Sequence, residues 1–418
     1  MLHTLMNKER CRGSRNKLIE SFRQRQIFKK RNSYIQIISV NILVQSQIIK
    51  DNQVKTMNED FLRYKTRFIT LTLLLGYAFM HVKLTGVYFK VTLDKLANFS
   101  APITFGQRLL IPLFAHVISY FTPLDLDKIY FLIEWMFISL FYFALLKLMQ
   151  YEFTLRQSQL LSWLFLLLLP LMTVINYRFT TGGPATFFFY YDSPSLFFLT
   201  LGFLFCLRSN WLYFLPLLFV ATINRESSLL LILFIPALHW NHLHAVYKQI
   251  ILSLAVYVLA RSLVLIFLHD ASGTLLEWYF KSSNDTHFKV NFQWLLNEQH
   301  IFLFIFCFAG IPFFWFAFYD YIPLLFRPLR YVALFYFIVL LLIGNFPEVR
   351  IFSEIVLMLY LPVCIALKSW INDRMPVSSE VKTSMLYYID RYFVLATLVL
   401  ITAVHHSLNQ WVIWLSRF

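Results

Sequence analysis

Residues 331–367 read YVALFYFIVLLLIGNFPEVRIFSEIVLMLYLPVCIAL, and they join two apolar runs through one charged turn. The runs 331–344 and 351–367 are almost free of charge, whereas the turn between them holds Glu348 and Arg350. A transmembrane helix needs about 20 apolar residues, so both runs are close to spanning length. Ionisable groups at membrane depth are costly and tend to be functional or tightly paired. The pattern predicts a helical hairpin in a membrane, with a working site at its turn.

A second charged turn, Arg225-Glu226, separates the apolar segments 211–223 and 227–240. The first of these segments would form a helix of roughly 20 Å, which is shorter than a hydrocarbon core of about 30 Å. The run 331–344 has a similar length. If both helices begin at the inner interface, their outer ends stop below the outer surface. Irregular backbone at that depth is tolerated beside a watery cavity, so we expect both turns to line a cavity that opens outward.

The composition extends this prediction to the whole chain. Of 418 residues, 59% are hydrophobic and 14% are charged, whereas about a quarter of a soluble domain is charged. We predict an all-α, polytopic membrane bundle with Leu109–Tyr120 as an interfacial helix in a first outer loop, 90–128. About eleven spans are expected, at 68–89, 129–149, 159–176, 187–207, 211–223, 227–240, 249–268, 301–319, 331–344, 351–367 and 392–414.

The N-terminal segment differs from the rest of the chain. Residues 1–67 hold 15 Lys and Arg against 5 Asp and Glu, which favours a basic cytoplasmic tail over a nucleic-acid-binding arm. We therefore predict a cytoplasmic N-terminus and a single transmembrane domain, 68–418. Met57 opens a second plausible start, so 1–56 is predicted to be dispensable. The four Cys form no CxxC pair, which indicates neither a disulfide framework nor a metal knuckle.

Three stretches resemble helix starts. Asn345-Phe-Pro-Glu348 has the spacing of a capping box, Asn224 precedes Arg225, and Asp192-Ser-Pro194 places a capping residue before Pro. Helix N-termini carry positive dipole ends and bind anions. Together with Arg225 and Arg350, three such ends would form a site for a phosphate or pyrophosphate head group that enters from the bilayer.

Each of these residues also has a purely structural interpretation. Glu348 and Asp192 can serve as plain helix caps. Arg350 and Glu354 are four residues apart on one helix face, so they can form a simple local ion pair that has no further role. Arg225 and Glu226 can bond to the neighbouring backbone of their hairpin. The functional interpretation depends on their joint placement at one end of the bundle.

The predicted first outer loop contains Asp94, Asp125 and Asp127, and Arg108-Leu-Leu-Ile-Pro112 lies between the first two. An outer loop with an acidic residue and an interfacial helix, followed by many spans, resembles the GT-C superfamily of membrane glycosyltransferases. The R-x-L-x-P-like stretch at Arg108–Pro112 and the pattern that begins at Asp192 are similar to stretches in proteins of this type.

The resemblance implies a specific activity. GT-C enzymes generally take a sugar from a polyprenyl-phosphate carrier and transfer it, with inversion, to an acceptor on the outer side of the membrane. An acid in the first outer loop acts as base, and by position this is Asp94; Asp125 and Asp127 are the alternative acids, although their stretch also has the pattern of a helix start. Arginines neutralise the lipid phosphate, and acidic or amide side chains orient them or bind the acceptor. The candidates for lipid-phosphate or substrate binding are Arg108, Asp192, Asn224, Arg225, Glu226, Glu348, Arg350 and Glu354.

The resemblance also implies partners and a location. A glycan or lipid acceptor, membrane lipids and a role in envelope polysaccharide or glycoconjugate assembly fit a multi-pass protein of the bacterial inner membrane, and no nucleic acid is expected. Some GT-C enzymes use a divalent metal, but a lone Asp94 does not favour a strong metal site, and no metal ligands are assigned. The motif His239-x-x-His242-x-His244 is interpreted as an interfacial loop.

Three other functions remain open from the sequence. A polysaccharide polymerase or ligase would share the outer arginines and a lipid-pyrophosphate substrate. A secondary transporter would use broken helices around a midplane site, and paired repeats would favour it. A non-catalytic membrane subunit is the third alternative.

Overall fold

The computed structural model describes residues 61–86, 91–175, 188–276, 278–279, 284–297, 300–301, 305, 310–376 and 385–416. The segment predicted to be dispensable, 1–56, lies outside them. The chain divides into two compact units, Met1–Thr70 and Leu71–Phe418. All contacts that build the candidate site lie within the second unit.

Most of the described residues are helical and none of them forms a β-strand; an isolated antiparallel bridge joins Tyr279 and Thr286. This confirms the all-α prediction at the level of class. In chain order the helices are α1 (61–83), α2 (Leu93–Ala97), α3 (Ile103–Gly106), α4 (Leu110–Phe121), α5 (Leu126–Met149), α6 (Leu155–Pro170), α7 (Asp192–Leu207), α8 (Trp211–Asn224), α9 (Leu229–Leu238), α10 (Leu243–Phe267), α11 (His287–Leu296), α12 (Ile311–Ala317), α13 (Leu329–Ile343), α14 (Ser353–Ile371), α15 (Met385–Ala403) and α16 (His405–Leu415).

One π-helical turn and several 3₁₀ turns adjoin these α-helices. A π-helical turn, Leu171–Ile175, follows α6 directly after Pro170, a residue that cannot donate a backbone hydrogen bond. Short 3₁₀ turns at Glu226–Ser228, Trp240–His242 and Val349–Phe352 lead into α9, α10 and α14. The first and third of these turns are the two charged stretches that the sequence singles out.

Four helices in the described part of the chain are long and apolar enough to cross a membrane, namely Leu126–Met149, Leu155–Val174, Trp240–Phe267 and Val349–Ile371. The bent pair Arg391–Ala403 and His405–Leu415 makes a fifth if it counts as one span. Shorter apolar helices account for most of the other predicted crossings, including α7, α8 and α13. The protein is thus a helical membrane protein by composition and helix length, while the count of about eleven spans stays a prediction.

Two predicted spans differ from simple rods. The segment 392–414 bends by 77° between α15 and α16, with Val404 at the break. Within 301–319 the described residues are Ile301 and Ile305, which are helical, and a stretch from Gly310 onward, in which the short helix α12 begins after Gly310 at φ 66°. Glycine adopts this left-handed conformation without steric cost, so Gly310 can redirect the chain where the sequence pattern predicts a continuous helix. The predicted interfacial segment does form a short helix, α4, and its depth in a membrane stays a prediction.

The bundle is built around α14. In its candidate span Val349–Ile371, 89% of the apolar window is buried, against 17% for the span Trp240–Phe267 that contains α10. α7 packs against α5, α9 and α14. Gly202 allows α7 to approach α9 closely, since a Cβ at this position would collide with the side chain of Leu231. The starts of α7 and α14 are therefore held together deep in the protein.

Candidate functional site

Three helix starts meet at one end of the bundle. α7 begins at Asp192, the 3₁₀ turn before α9 begins at Glu226, and the 3₁₀ turn before α14 contains Arg350. The first turn of a helix leaves backbone N–H groups without intrahelical partners, which makes it a favourable place for acidic side chains. The predicted convergence of Asp192 with the two charged turns is present, and side-chain contacts connect all three.

Arg350 pairs with the start of α7. Its Nη1 donates to both carboxylate oxygens of Asp192, at 2.9 and 3.0 Å, and its Nη2 donates to Glu348 Oε2 at 2.6 Å. Asp192 is not a helix cap, since Tyr191 occupies the N-cap position. Glu348 also accepts a hydrogen bond from Asn345 Nδ2 at 2.9 Å. Asn345 is not an N-cap either, because the helical turn starts three residues later than a capping box would place it.

Arg225 pairs with a carboxylate at the start of α14, and not with the backbone of its own hairpin. Its Nη1 donates to Glu354 Oε1 at 3.1 Å and lies 3.6 Å from Asp192 Oδ1. Ser227 Oγ donates to the same Glu354 oxygen at 2.7 Å, and the Tyr336 hydroxyl donates to the other. Glu354 therefore connects α14 to the Arg225 turn, and it does not form the local pair with Arg350 that their spacing suggests.

Arg108 brings the first loop to the same cluster. It lies between α3 and α4, and its Nη2 donates to Glu226 Oε1 at 2.8 Å. The side chain of Glu226 is 34% exposed and that of Arg108 is 14% exposed. The two charged turns and the stretch Arg108–Pro112 thus belong to one site.

Tyr191 lies between the three arginines. The Cζ atoms of Arg108, Arg225 and Arg350 are 4.0, 5.1 and 5.6 Å from the centre of its ring. Cations over an aromatic face are stabilised by the ring quadrupole, by about 0.5–2 kcal/mol each. Tyr191 is not among the residues predicted from the sequence, and its position directly before Asp192 is the signal that could have identified it.

The cluster borders a cavity of about 360 Å³. The charged residues that line the cavity are Arg108, Arg225, Glu226, Glu348 and Arg350. Its apolar lining comes mainly from α9 and α13, with Leu229, Leu233, Phe335, Val339 and Leu340. This volume is in the range of small-molecule sites, which are typically apolar with a few convergent polar groups. We call this the charged cavity.

The four carboxylates of the cluster are not equivalent. Asp192 and Glu354 are 2% exposed, whereas the side chains of Glu226 and Glu348 are 34% and 19% exposed. Buried charges must remain paired, so Asp192 and Glu354 act as fixed counterions of the arginines. Three guanidinium groups against two fixed carboxylates leave one positive charge, and the carboxylates of Glu226 and Glu348, which line the cavity, bring the formal net charge of the cluster to −1. An incoming anion could replace either of these two side chains.

Asn224 has a structural position. It ends α8 and does not begin a helix, and its Nδ2 donates to Ser195 Oγ at 3.1 Å and to the Tyr191 carbonyl at 3.4 Å. It is 1% exposed and does not line the charged cavity. Asn224 therefore supports the backbone at Tyr191 through its side-chain amide. The prediction that a helix starts at Asn224 is wrong, because the next helical turn begins at Glu226.

The three loop acids lie apart from the cluster. Asp94 is exposed in the first turn of α2, after the N-cap Thr92, and it is not among the residues that line the charged cavity. Asp125 is exposed and receives a hydrogen bond from Lys128 Nζ at 2.8 Å, which holds the pKa of its carboxyl below the usual range. The assignment of Asp94 as a base stays a prediction, and the carboxylates that face the cavity are Glu226 and Glu348.

A second buried polar group was not predicted. His81 Nδ1 lies 2.8 Å from Glu134 Oε1, and Ser193 Oγ donates to the same oxygen. All three side chains are at most 1% exposed. Because Ser193 follows Asp192, this pair anchors the turn of α7 that holds Arg350. A glutamate inside the apolar run of α5 is the sequence signal for it.

No group of three or more His, Cys, Asp or Glu in the described residues is arranged to hold a metal ion. The comparisons with known proteins give no match to any family model, curated protein or solved structure. Function is therefore inferred from the geometry of the charged cavity.

Proposed function

We propose that this protein is a membrane glycosyltransferase that transfers a sugar from a polyprenyl-phosphate carrier to a glycan or lipid acceptor on the outer face of the membrane, in the assembly of an envelope polysaccharide or glycoconjugate. The observation that carries the proposal is the meeting of Arg108, Arg225 and Arg350 at one cavity with an apolar wall. Arginine binds phosphate through paired, charge-assisted hydrogen bonds. An apolar wall beside it suits the first isoprene units of the carrier.

The reaction uses the two sides of the cavity differently. The bond between the sugar C1 and the phosphate oxygen breaks, and a bond between C1 and the acceptor oxygen forms. Guanidinium groups stabilise the charge that develops on the departing lipid phosphate. The phosphate displaces the Glu226 and Glu348 carboxylates from their arginines, and these carboxylates then bind hydroxyl groups of the sugar or acceptor.

A base must remove the acceptor proton, and two assignments compete. Asp94 is the base by resemblance, which requires the acceptor to extend from α2 to the cavity. Glu348 lines the cavity itself, which satisfies the rule that a base lies within hydrogen-bond reach of its proton. Asp94→Asn and Glu348→Gln distinguish them, since the variant that abolishes sugar transfer while retaining carrier binding identifies the base.

Carrier binding is tested with the purified full chain in detergent. A polyprenyl phosphate should raise the thermal unfolding temperature, and the same polyprenol without phosphate should not, because a ligand that binds only the folded state stabilises it. Arg108→Gln should weaken this effect, while Glu226→Gln should strengthen it by removing the carboxylate that competes with the phosphate. Arg156→Gln, an exposed arginine outside the cavity, is the matched control. Equal stabilisation by polyprenol and its phosphate would refute the proposal.

A further inference from the structure

A second cavity, of about 570 Å³, lies at the opposite ends of α9 and α13. The charged cavity contacts the start of α9 and the end of α13, whereas the second cavity contacts Leu238 at the end of α9 and Arg330 at the start of α13. α13 has 15 residues and is therefore about 22 Å long at 1.5 Å per residue; the second cavity contacts its first turn, and the charged cavity contacts it from Phe335 to Ile343. The two cavities therefore face opposite ends of the apolar part of the bundle.

Apart from aliphatic residues, the lining of this second cavity consists mainly of basic and aromatic side chains. Its lining includes Arg327, Arg330, His239, His242, Trp240 and Tyr331, and it contains no Asp or Glu among the described residues. The charged cavity, in contrast, is lined by Glu226 and Glu348 as well as by its arginines. The second cavity is therefore the more basic of the two, and we call it the basic cavity.

Aromatic contacts hold both arginines of the basic cavity in place. The Cζ atoms of Arg327 and Arg330 lie 4.7 and 5.0 Å from the centre of the Tyr319 ring. Arg330 donates hydrogen bonds to the Tyr319 hydroxyl and, at 2.8 Å, to the Tyr331 hydroxyl. Neither arginine is more than 9% exposed, so each guanidinium is fixed before any ligand arrives. Preorganised guanidinium groups are well suited to phosphate recognition.

The rim of the basic cavity is apolar and open to the surroundings. Trp240 is 56% exposed, Leu324 is 61% exposed and Leu325 is 41% exposed. Trp residues favour the membrane–water interface, and basic pockets between membrane helices bind lipid head groups. Acyl chains can lie against this rim while a phosphate enters the cavity, an arrangement that a free phosphate compound would not need.

We propose that the basic cavity binds the phosphate of an anionic phospholipid head group on the face of the membrane opposite the charged cavity. The inference is independent of the proposed glycosyltransferase activity, because it uses no residue of the charged cavity. The lipid would fill the space between α9 and α13 and hold the inner ends of these short helices apart.

The test uses the purified full chain in detergent and short-chain phosphatidylglycerol, with phosphatidylcholine of the same chain length as the neutral probe. Native mass spectrometry measures the fraction of protein with bound lipid. We expect phosphatidylglycerol to bind about tenfold more tightly than phosphatidylcholine. Both lipids carry a phosphate that Arg can contact, but the choline ammonium cancels that charge and is repelled by the two arginines, whereas phosphatidylglycerol keeps a net negative charge. Equal binding of the two lipids would overturn the proposal, and so would retention of inorganic phosphate without either lipid.

Two variants test the basic cavity, one by removing a positive charge and the other by adding a negative charge. Arg330→Gln removes one guanidinium and should abolish the preference for phosphatidylglycerol. Asn241→Glu places a carboxylate at the exposed rim, where folding is not at risk, and should weaken phosphatidylglycerol binding by repulsion. Arg208→Gln, an exposed arginine that follows α7 and does not line the cavity, should leave the preference unchanged. Unchanged lipid preference in both Arg330→Gln and Asn241→Glu would contradict the site.

Discussion

At the scale of single residues, the charged cluster is held by pairs between helices that are distant in sequence. Asp192 meets Arg350, Arg225 meets Glu354, and Arg108 meets Glu226. An ion pair in a poorly solvated site contributes little net stability, but removing one partner leaves a buried charge without compensation. The pairs therefore determine the position of the arginines more than they stabilise the fold.

The pair of Arg225 and Glu354 gives a stability prediction. Glu354→Leu should lower the free energy of unfolding by about 3–5 kcal/mol, because Arg225 would remain buried beside a single, more distant carboxylate. Chemical unfolding in detergent measures this change. Replacing both Arg225 and Glu354 with Leu should restore part of the lost stability. Asp125→Ala, which breaks an exposed pair, is the control and should have little effect. A double variant less stable than Glu354→Leu would contradict this account.

The buried pair of His81 and Glu134 gives a second prediction at this scale. Glu134→Leu should destabilise the protein by about 2–5 kcal/mol, because the His81 ring and the Ser193 hydroxyl would lose their shared acceptor in a buried site. Glu134→Gln retains an acceptor oxygen and should cost less. Thermal unfolding in detergent ranks the two variants. If both variants unfold like the unmodified protein, the pair does not anchor α7.

At the scale of elements, the short helices α8 and α13 place the charged turns inside the bundle. The end of α13 is secured by Asn291, which is fully buried on α11. Its Nδ2 donates to the carbonyls of Leu341 and Gly344 at 3.0 and 2.8 Å, and its Oδ1 accepts from the Phe346 amide at 3.1 Å. The last carbonyls of a helix lack intrahelical partners. The side chain of Asn291 supplies hydrogen bonds to these backbone groups where the chain leaves α13.

Asn291→Leu should therefore damage the turn that contains Glu348. The substitution keeps the branched shape of the side chain but leaves two carbonyls and one amide without this partner, at a cost of about 1–3 kcal/mol for each buried group. Thermal unfolding in detergent measures the loss of stability, and carrier binding at the charged cavity should weaken in parallel. Asn210→Ala is the control, since Asn210 is exposed and makes no side-chain capping bond at the start of α8. Normal stability of Asn291→Leu would exclude this role.

At the scale of the whole molecule, polar cavities occupy opposite ends of an apolar helix pair. α9 and α13 run between the charged and basic cavities, and both helices are too short to cross a full hydrocarbon core alone. Their ends can be polar only because neighbouring helices and cavities surround them, since irregular backbone is not tolerated against lipid. This arrangement predicts that the two cavities open to opposite sides of the membrane.

Cysteine labelling tests that prediction. In a variant with the four native cysteines replaced by Ser, Asn345→Cys at the charged cavity and Asn241→Cys at the basic cavity are labelled with a membrane-impermeant maleimide. Asn345→Cys should react from the outside only, and Asn241→Cys should react from the cytoplasmic side only. Labelling of both positions from one side would overturn the topology.

The sequence by itself determined the helical membrane class and the location of the chemistry. Long apolar runs in lipid must form helices, because their backbone groups have no water to bond with. Ionisable side chains at the ends of such runs are energetically costly to bury, so they indicate a functional or tightly paired site. Arg225, Glu226, Glu348 and Arg350 are for this reason recognisable without a structure. Local spacing also gave wrong partners, because it predicts only contacts three or four residues apart along a helix.

Only the tertiary structure decided which charges meet. The pair of Asp192 and Arg350 joins residues 158 positions apart, and nothing in the spacing of either residue indicates the other. The assembly of the helices also buries Tyr191 among the arginines, brings His81 of α1 to Glu134 of α5, and leaves Asp94 of α2 exposed outside the cavity. A buried charge takes the partner that packing brings within reach, so the composition of the site depends on how the helices assemble.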